Sequence, residues 1–469
     1  MNYRFAWITV LLLAACTAAH AQGYMTATPW RATNLQHLAV WDNANRAAAG
    51  KDGNTLLRRA VRADRKARTV TLLAESCGLS ANTTVEFAIV GETSDRTYEA
   101  LLLTYARAKD IGDALEFIGL PRGQNVSHRA QRYWPSGERV VIKVREFGAT
   151  NAPARPIEEF VLDRRINSTM VQRGFVYCGS PRVPGTEEGG AEACLADLEA
   201  PVSILSLYNE PQTLLDVPRI SPQGEVYENY ITNPDALLPA GRMMQVTLTP
   251  EPRPDGCPRV RPVELTILPS EGPGGVAFLL REGEKGEPQR IEAFGDLLKR
   301  LMAIVGQECD PMVTLKIDDA VPLNRAREVC KVLQKIEGEN GVRMEPPPKG
   351  QIFYKSFLPD EQWRERAKRL TQPWELHVGP VSPTNAVPSL LLVQILEDWS
   401  DPNSMDPKLT PVEYPVARFE DIPGTIKKAG RGLPVLLVFA PASAPVGHFM
   451  RGVRPVLDTH STVYVFPEP

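Results

Sequence analysis

The sequence predicts an α+β protein of several domains, in which a β-rich N-terminal domain precedes two small α/β sandwiches with helices on one sheet face. Three observations lead to this prediction. The length of 469 residues exceeds what one domain usually contains. The composition, 43% hydrophobic and 23% charged, supplies enough apolar side chains for packed cores. The 42 prolines cluster between apolar segments, as expected of stiff connectors.

Residues 1–21 are typical of an export signal, because the apolar run over residues 5–15 is too short to span a bilayer. Two processing sites stay open. Residues 13–16 (Leu-Ala-Ala-Cys) resemble a lipobox, where cleavage between residues 15 and 16 leaves Cys16 to be acylated. Residues 19–21 (Ala-His-Ala) resemble an ordinary cleavage site. We favour the lipobox, and expect an exported protein that is periplasmic or anchored to a membrane through Cys16.

The composition and motifs exclude several function classes. A net charge of −3 without a long basic block argues against nucleic acid as a partner. The sequence contains no GxSxG, HExxH, SxxK or Walker motif. We therefore expect no cofactor, no metal site and no recognisable catalytic residue. The oligomeric state is left open.

The cysteines outside the signal are expected to form disulfides in an oxidising compartment. Cys178 and Cys194 flank a loop rich in glycine and proline, and we predict that they pair. Cys257 and Cys309 each precede a predicted strand, so that they can pair if those strands run parallel.

The first domain is predicted over residues 68–218, after an N-terminal linker with a helical segment over 22–67. Residues 84–90 and 98–105 are typical of the two arms of a hairpin, with a polar turn between them. An amphipathic helix follows over 109–118. Residues 86–91, 94–101, 114–121 and 202–208, taken in order, resemble the YdjY-type domain. This resemblance implies a domain type but no reaction.

Two groups of candidate binding residues lie in this domain. The predicted hairpin brings together Glu86 and Glu99, with Asp95 in the turn, and two close carboxyl groups can act as acid and base. The alternative is that these carboxylates bind arginines within the hairpin. A second group combines basic and aromatic residues that could bind a glycan or an anion: His128, Arg129, Arg132 and Trp134. Its alternative is a surface loop anchored by its tryptophan.

The second half begins after a predicted linker over 219–258. Residues 259–346 show the order β-β-α-β-α-β, which is typical of an α+β sandwich. The segment Pro311-x-Val-x-Leu-x-Ile-Asp-Asp-x-Val-Pro322 and the helix after it resemble the periplasmic domain of ExbD/TolR-type proteins. Those proteins carry a transmembrane helix with an acidic residue, which this chain lacks, so the resemblance does not imply a motor.

A degenerate copy of the same module is predicted over residues 374–469, after a linker helix over 347–373. Pro434 and Pro445 are spaced like Pro311 and Pro322, and an apolar run separates them in both places. The positions of Asp318 and Asp319 are taken by a proline and an alanine in the copy.

Two functions remain after these observations. The first is a non-enzymatic adaptor or binding module at the periplasmic face of a membrane, whose partner is an envelope protein or a cell-wall component. The second is an envelope hydrolase or glycan-processing enzyme with an unrecognised site in the YdjY-like domain.

Overall fold

The computed structural model describes residues 29–50, 53–127, 130, 132–149, 151–184, 192–253, 259–272, 275–307, 309–339, 341–360, 362–363, 372–380, 388–398, 400, 407–430, 434–460 and 462–468. The protein is a mixed α+β chain with several sheets. Its contacts divide it into two units, Met1–Arg259 and Val260–Pro469. Within the described ranges, no helix is both long enough and apolar enough to cross a membrane.

The first unit is rich in strands. They are β1 (Thr55–Arg58), β2 (Val61–Asp64), β3 (Thr69–Ser76), β4 (Phe87–Gly91), β5 (Ala100–Thr104), β6 (Arg139–Glu146), β7 (Arg155–Pro156), β8 (Val161–Asp163), β9 (Ser168–Thr169), β10 (Phe175–Tyr177), β11 (Arg182–Val183), β12 (Ala193–Cys194), β13 (Ser203–Ser206), β14 (Leu215–Asp216), β15 (Tyr230–Thr232) and β16 (Met243–Pro250). The helices are α1 (Arg31–Ala48), α2 (Ala108–Phe117), α3 (Leu195–Leu198) and α4 (Gln223–Asn229).

The largest sheet of this unit closes on itself. Its order is β3-β16-β6-β10-β14-β13-β4-β5, and β5 pairs back onto β3, so eight strands form a barrel. The strands are rich in β-branched and leucine side chains, which favour extended backbone. Fully buried side chains from different strands meet in the core, among them Leu72, Ile89, Leu102, Ile142 and Val246.

Two predictions about this unit are wrong. β4 and β5 are parallel and do not form a hairpin, because residues 92–99 carry the chain back to the start of β4. Residues 219–258 are not a linker: they contain α4, β15 and β16, and β16 pairs with both β3 and β6. Residues 22–67 contain the predicted helix, α1, and in addition the strands β1 and β2. The linker error arises because β16 pairs with β3, which is distant in sequence.

The second unit contains two five-stranded sheets. The first has β17 (Val260–Pro269), β18 (Val276–Glu282), β19 (Gln289–Ile291), β20 (Asp310–Ile317) and β21 (Arg343–Met344), with helices α5 (Phe294–Val305) and α6 (Leu323–Glu339). The second has β22 (Trp374–Val378), β23 (Leu390–Asp398), β24 (Lys408–Val416), β25 (Val435–Pro441) and β26 (Thr462–Glu468), with helices α7 (Ile422–Ala429) and α8 (Val446–Val453).

The two sheets have the same strand order and the same directions. The orders are β19-β18-β17-β20-β21 and β24-β23-β22-β25-β26. The central strands are β17 and β22. Each is antiparallel to the next strand in sequence, β18 or β23, and parallel to the strand on its other side, β20 or β25. The registers also correspond, since Val263 lies opposite Val313 and Trp374 lies opposite Leu436.

The turns after β20 and β25 meet in a pair of matched contacts. Pro322 and Pro445 form an isolated antiparallel bridge. The N–H of Leu323 donates to Ala444 O over 2.9 Å, and the N–H of Val446 donates to Val321 O over 2.8 Å. A second matched pair joins Asn324 to Ala442 and Gly447 to Asp319. The same turn of each sheet therefore contacts the other in a two-fold manner.

Gly447 is the position where this junction has least room. A β-carbon there would lie 2.5 Å from Asp319 Cβ. We expect Gly447→Ala to destabilise the second unit by about 1–3 kcal/mol through overpacking, as measured by urea unfolding of the full chain. Gly424→Ala in α7 is the matched control, because a β-carbon there meets nothing within 4 Å. Equal stability of the two variants would contradict this description of the junction.

Candidate anion-binding site

A cavity of about 430 Å³ opens in the first unit beside β11 and the connection between β13 and β14. We call it the arginine pocket, because Arg122, Arg132 and Arg182 line it. Amide and hydroxyl side chains complete much of the lining: Gln124, Asn125, Ser127, Ser180 and Gln212. Its volume lies within the range of small-molecule sites.

Arg182 reaches the pocket from the short strand β11, which pairs with β12 in the register that places Arg182 opposite Cys194. Gly112 of α2 leaves room for its guanidinium, since a β-carbon there would lie 3.1 Å from Arg182 Nη2. The N-terminus of α2 is fixed by Asp197 of α3, whose carboxylate accepts two backbone N–H groups over 2.6 and 2.9 Å. The helix and the strand that frame Arg182 are therefore tied together.

The charge of Arg182 is only partly compensated. Its side chain is 4% exposed, and its Nη2 lies 3.2 Å from Asp113 Oδ1. The same carboxylate is shared with Lys109, whose Nζ lies 2.6 Å from Oδ2. Arg182 Nε and Nη1 are buried and have no hydrogen-bond partner among the described residues. Because burial of an incompletely paired cation is costly, a negative ligand beside it would be stabilising.

Arg132 adds a second cation with a free hydrogen-bonding position. Its Nη1 donates to Asn125 O over 3.3 Å, and its buried Nε has no partner within the described part of the chain. Arg122 differs, because its Nε and Nη2 donate to Glu116 Oε1 over 2.9 and 2.8 Å. The excess positive charge of the pocket therefore belongs to Arg132 and Arg182.

The lining is rich in hydrogen-bond donors. Among its described residues Glu199 supplies the one carboxylate, there is no histidine, and Glu199 is exposed. Ser180 Oγ donates to Gln212 O over 2.5 Å, and Ser127 Oγ accepts the N–H of Ala130. Guanidinium groups bind carboxylate, phosphate and sulfate through charge-assisted hydrogen bonds. Cys178 also lines the pocket, and its Sγ donates to Val176 O over 3.5 Å. The guanidinium groups of the pocket can therefore hold an anion.

One wall of the pocket is the connection between β13 and β14, which includes Gln212. Asn125 Nδ2 donates to Thr213 O over 2.7 Å, and the hydroxyls of Thr213 and Ser203 lie 2.8 Å apart. Asp216 accepts a hydrogen bond from Asn209 Nδ2 over 3.1 Å. These buried bonds hold the connection in place from both ends.

The predicted acidic residues lie elsewhere in the first unit. Glu86 and Glu99 are buried and hydrogen-bond to each other, because the parallel register of β4 and β5 aligns the residues that precede the two strands. Asp95 is separate, since its side chain is 52% exposed and pairs with Arg96 at 3.6 Å. In the part of the chain that the structure describes, none of these three carboxylates lines the arginine pocket or the other main cavities.

Glu210 and Asp216 extend the buried pair to four carboxyl groups, which we call the acid cluster: Glu86, Glu99, Glu210 and Asp216. The sequence did not indicate the two later residues, because the β13–β14 connection, which carries Glu210, and β14, which carries Asp216, are far from β4 in sequence. Arg96 approaches the cluster from outside, and its Nη1 donates to Glu99 Oε1 over 3.2 Å.

Burial dominates the electrostatics of this cluster. It raises the pKa of Glu86 to about 7, against the opposing hydrogen bond from Gln223. It also raises the pKa of Glu210 to about 7, where Ser203 opposes the shift and Glu86 adds to it. Burial likewise raises the pKa of Asp216 well above its ordinary value. No group of acidic, histidine or cysteine side chains among the described residues is arranged to hold a metal ion.

Only two members of the predicted basic-aromatic group, Arg132 and Trp134, are among the described residues. Arg132 lines the arginine pocket, whereas Trp134 is buried and does not. His128 and Arg129 lie outside the described residues. Arg122 and Arg182, which complete the pocket, carried no sequence signal, because β11 is too short to recognise and Arg122 lies in a loop.

The structure shows no disulfide between Cys178 and Cys194, so the predicted pairing has no support. The register of β11 and β12 places Cys194 opposite Arg182, so Cys178 is not its neighbour across the hairpin. The other predicted disulfide, between Cys257 and Cys309, requires that two parallel strands begin side by side. β17 and β20 are parallel and begin side by side, with Val260 opposite Asp310. Cys257 lies outside the described residues, as does Cys16, and these two predictions stay untested.

Comparison with known proteins supports the assignment of the first unit. Residues 61–248 match the YdjY domain. The match extends beyond the predicted boundaries of 68–218 at both ends, and so includes β2 and most of β16. No curated protein matches the chain. The ExbD/TolR-type resemblance of the second unit stays a prediction.

One similar solved structure comes from Bacteroides thetaiotaomicron and is described as a protein with an actin-like ATPase fold and unknown function. It is 7% identical, with a TM-score of 0.14, and the match covers 44% of this chain and 91% of that one. A TM-score of this size does not show a shared fold.

The acid cluster predicts how stability depends on pH. Because the pKa values of Glu86 and Glu210 are raised in the folded state, the stability that they contribute is complete below about pH 4.5 and is lost as the pH rises through about 7. We expect the melting temperature of the first unit to fall between pH 5 and pH 8 in calorimetry of the full chain. Glu86→Gln should flatten this fall, whereas Asp95→Asn should leave it unchanged. A fall of equal size in the Glu86→Gln variant would contradict the assignment.

Proposed function

We propose that this protein is an exported, non-enzymatic binding module of the bacterial envelope, and that its YdjY-like domain holds an acidic ligand in the arginine pocket. The observation that carries the proposal is the buried guanidinium of Arg182, two of whose nitrogens have no acceptor among the described residues. Arg132 faces the same cavity with a further unpaired nitrogen. Export is proposed from the signal pattern of residues 1–21 and from the lipobox at Cys16.

The second unit is proposed as the part that contacts a partner, which is an envelope protein or a cell-wall component. Its support is the pair of sheets with the same order and directions, together with the ExbD/TolR-type pattern around Pro311 and Pro322. The hydrolase alternative has less support, because Glu86 and Glu99 are buried and line none of the cavities described above.

Anion binding is tested by isothermal titration of the full chain with sulfate and with glucuronate. Arg182→Gln should weaken binding about tenfold or more, since a hydrogen bond to a charged group contributes about 1.5–3 kcal/mol. Arg132→Gln, at a less buried position, should weaken it in the same direction. Arg155→Gln is the control, because Arg155 pairs with Glu159 and does not line the pocket. Unchanged binding in both pocket variants would refute the site.

Export is tested by expressing the full chain in a bacterium and labelling it with a palmitate analogue. The lipobox hypothesis predicts a labelled protein in the membrane fraction and loss of label in the Cys16→Ser variant. An unlabelled periplasmic protein that begins at Gln22 would favour ordinary cleavage. A cytoplasmic chain that keeps residues 1–21 would contradict export.

A further inference from the structure

The arginine pocket and the acid cluster share one wall. Gln212 lines the pocket, and its Nε2 donates to Glu210 Oε1 over 3.0 Å. Glu210 is 2% exposed, and its Oε2 has no hydrogen-bond partner among the described residues. One side-chain amide therefore connects a buried carboxyl group with the space that an anion would occupy.

The surroundings of Glu210 contain more negative than positive charge. The titratable and charged groups that act on it or on its neighbours are Glu86, Glu99, Tyr208, Asp216 and Arg96. Asp216 accepts the backbone N–H of Glu210 over 3.4 Å, and Glu86 lies close enough to repel its charge. Arg96, the cation of this group, is already bonded to Glu99. A second negative charge near Glu210 is thus poorly compensated.

Hydrogen bonds hold the backbone of this wall. Thr213 is held by Asn125 and Ser203, and Ser180 donates to the backbone oxygen of Gln212. The Gln212 side chain is in turn bonded to Glu210, and a charge in the pocket acts on Glu210 through space.

We propose that the arginine pocket takes up a proton together with its anion, and that Glu210 holds this proton. The inference rests on the function proposed above, since it requires an anion in the pocket. A bound negative charge beside Gln212 disfavours the ionised form of Glu210 and so favours its protonated form. The site then selects ligands of fixed negative charge and binds them more tightly as the medium becomes more acidic.

Sulfate is the probe for this inference, because its charge and those of the arginines stay constant between pH 5.5 and pH 8.5. Isothermal titration of the full chain should show affinity about tenfold weaker at pH 8.5 than at pH 5.5. At pH 7 the binding heats in two buffers of different ionisation enthalpy should differ by the amount that corresponds to proton uptake.

Glu210→Gln should abolish both the pH dependence and the proton uptake while sulfate still binds. Glu199→Gln is the matched control: it removes an exposed carboxylate from the lining of the same pocket, so it should strengthen binding at every pH and keep the pH dependence. If Glu210→Gln does not fold, Glu86→Gln serves instead. It removes the negative neighbour of Glu210 and should move the midpoint of the pH dependence to lower pH.

The outcomes separate the two proposals. Absence of sulfate binding at pH 5.5 would contradict the proposed function itself. Binding that is independent of pH in the unmodified chain, or a pH dependence that survives in Glu210→Gln, would overturn the proton linkage and leave the anion site standing.

Discussion

The closure of the barrel at β3 is the constraint on which the first unit depends. One edge of β3 pairs with β16 along its length, while its other edge pairs first with β2 and then with β5. The change of partner falls at Leu73, whose N–H donates to Ala60 O and whose carbonyl accepts from Thr104 Oγ1. Because β5 fixes β4, and β4 fixes β13, this closure also determines where the wall of the arginine pocket lies.

Polar groups inside this barrel unit surround the candidate site. A short connection between the parallel strands β13 and β14 presents Gln212 to the pocket on one side and Glu210 to the acid cluster on the other. Buried carboxyl groups and an incompletely paired guanidinium are both costly in a folded protein. Their presence on opposite sides of one connection is the physical reason to treat anion binding and protonation together.

The sequence was informative where elements are local. Apolar runs and amphipathic helices located most elements of the second unit, and β22 begins at Trp374, the first residue of the predicted second module. The barrel was not predictable, because β3 and β16 pair across most of the first unit and β14 has only two residues. Arg132 was found because basic and aromatic residues cluster around it. Arg182 and Glu210 were not, since only tertiary pairing brings Arg182 to the pocket and Glu210 to the acid cluster.

Anion binding in the arginine pocket is best tested by a crystal structure of the full chain grown with selenate, because selenium locates the anion by its anomalous scattering. We expect a peak in the arginine pocket within hydrogen-bond distance of Arg132 and Arg182, which disappears in Arg182→Gln. Peaks confined to the outer surface, with the pocket empty at saturating selenate, would contradict it.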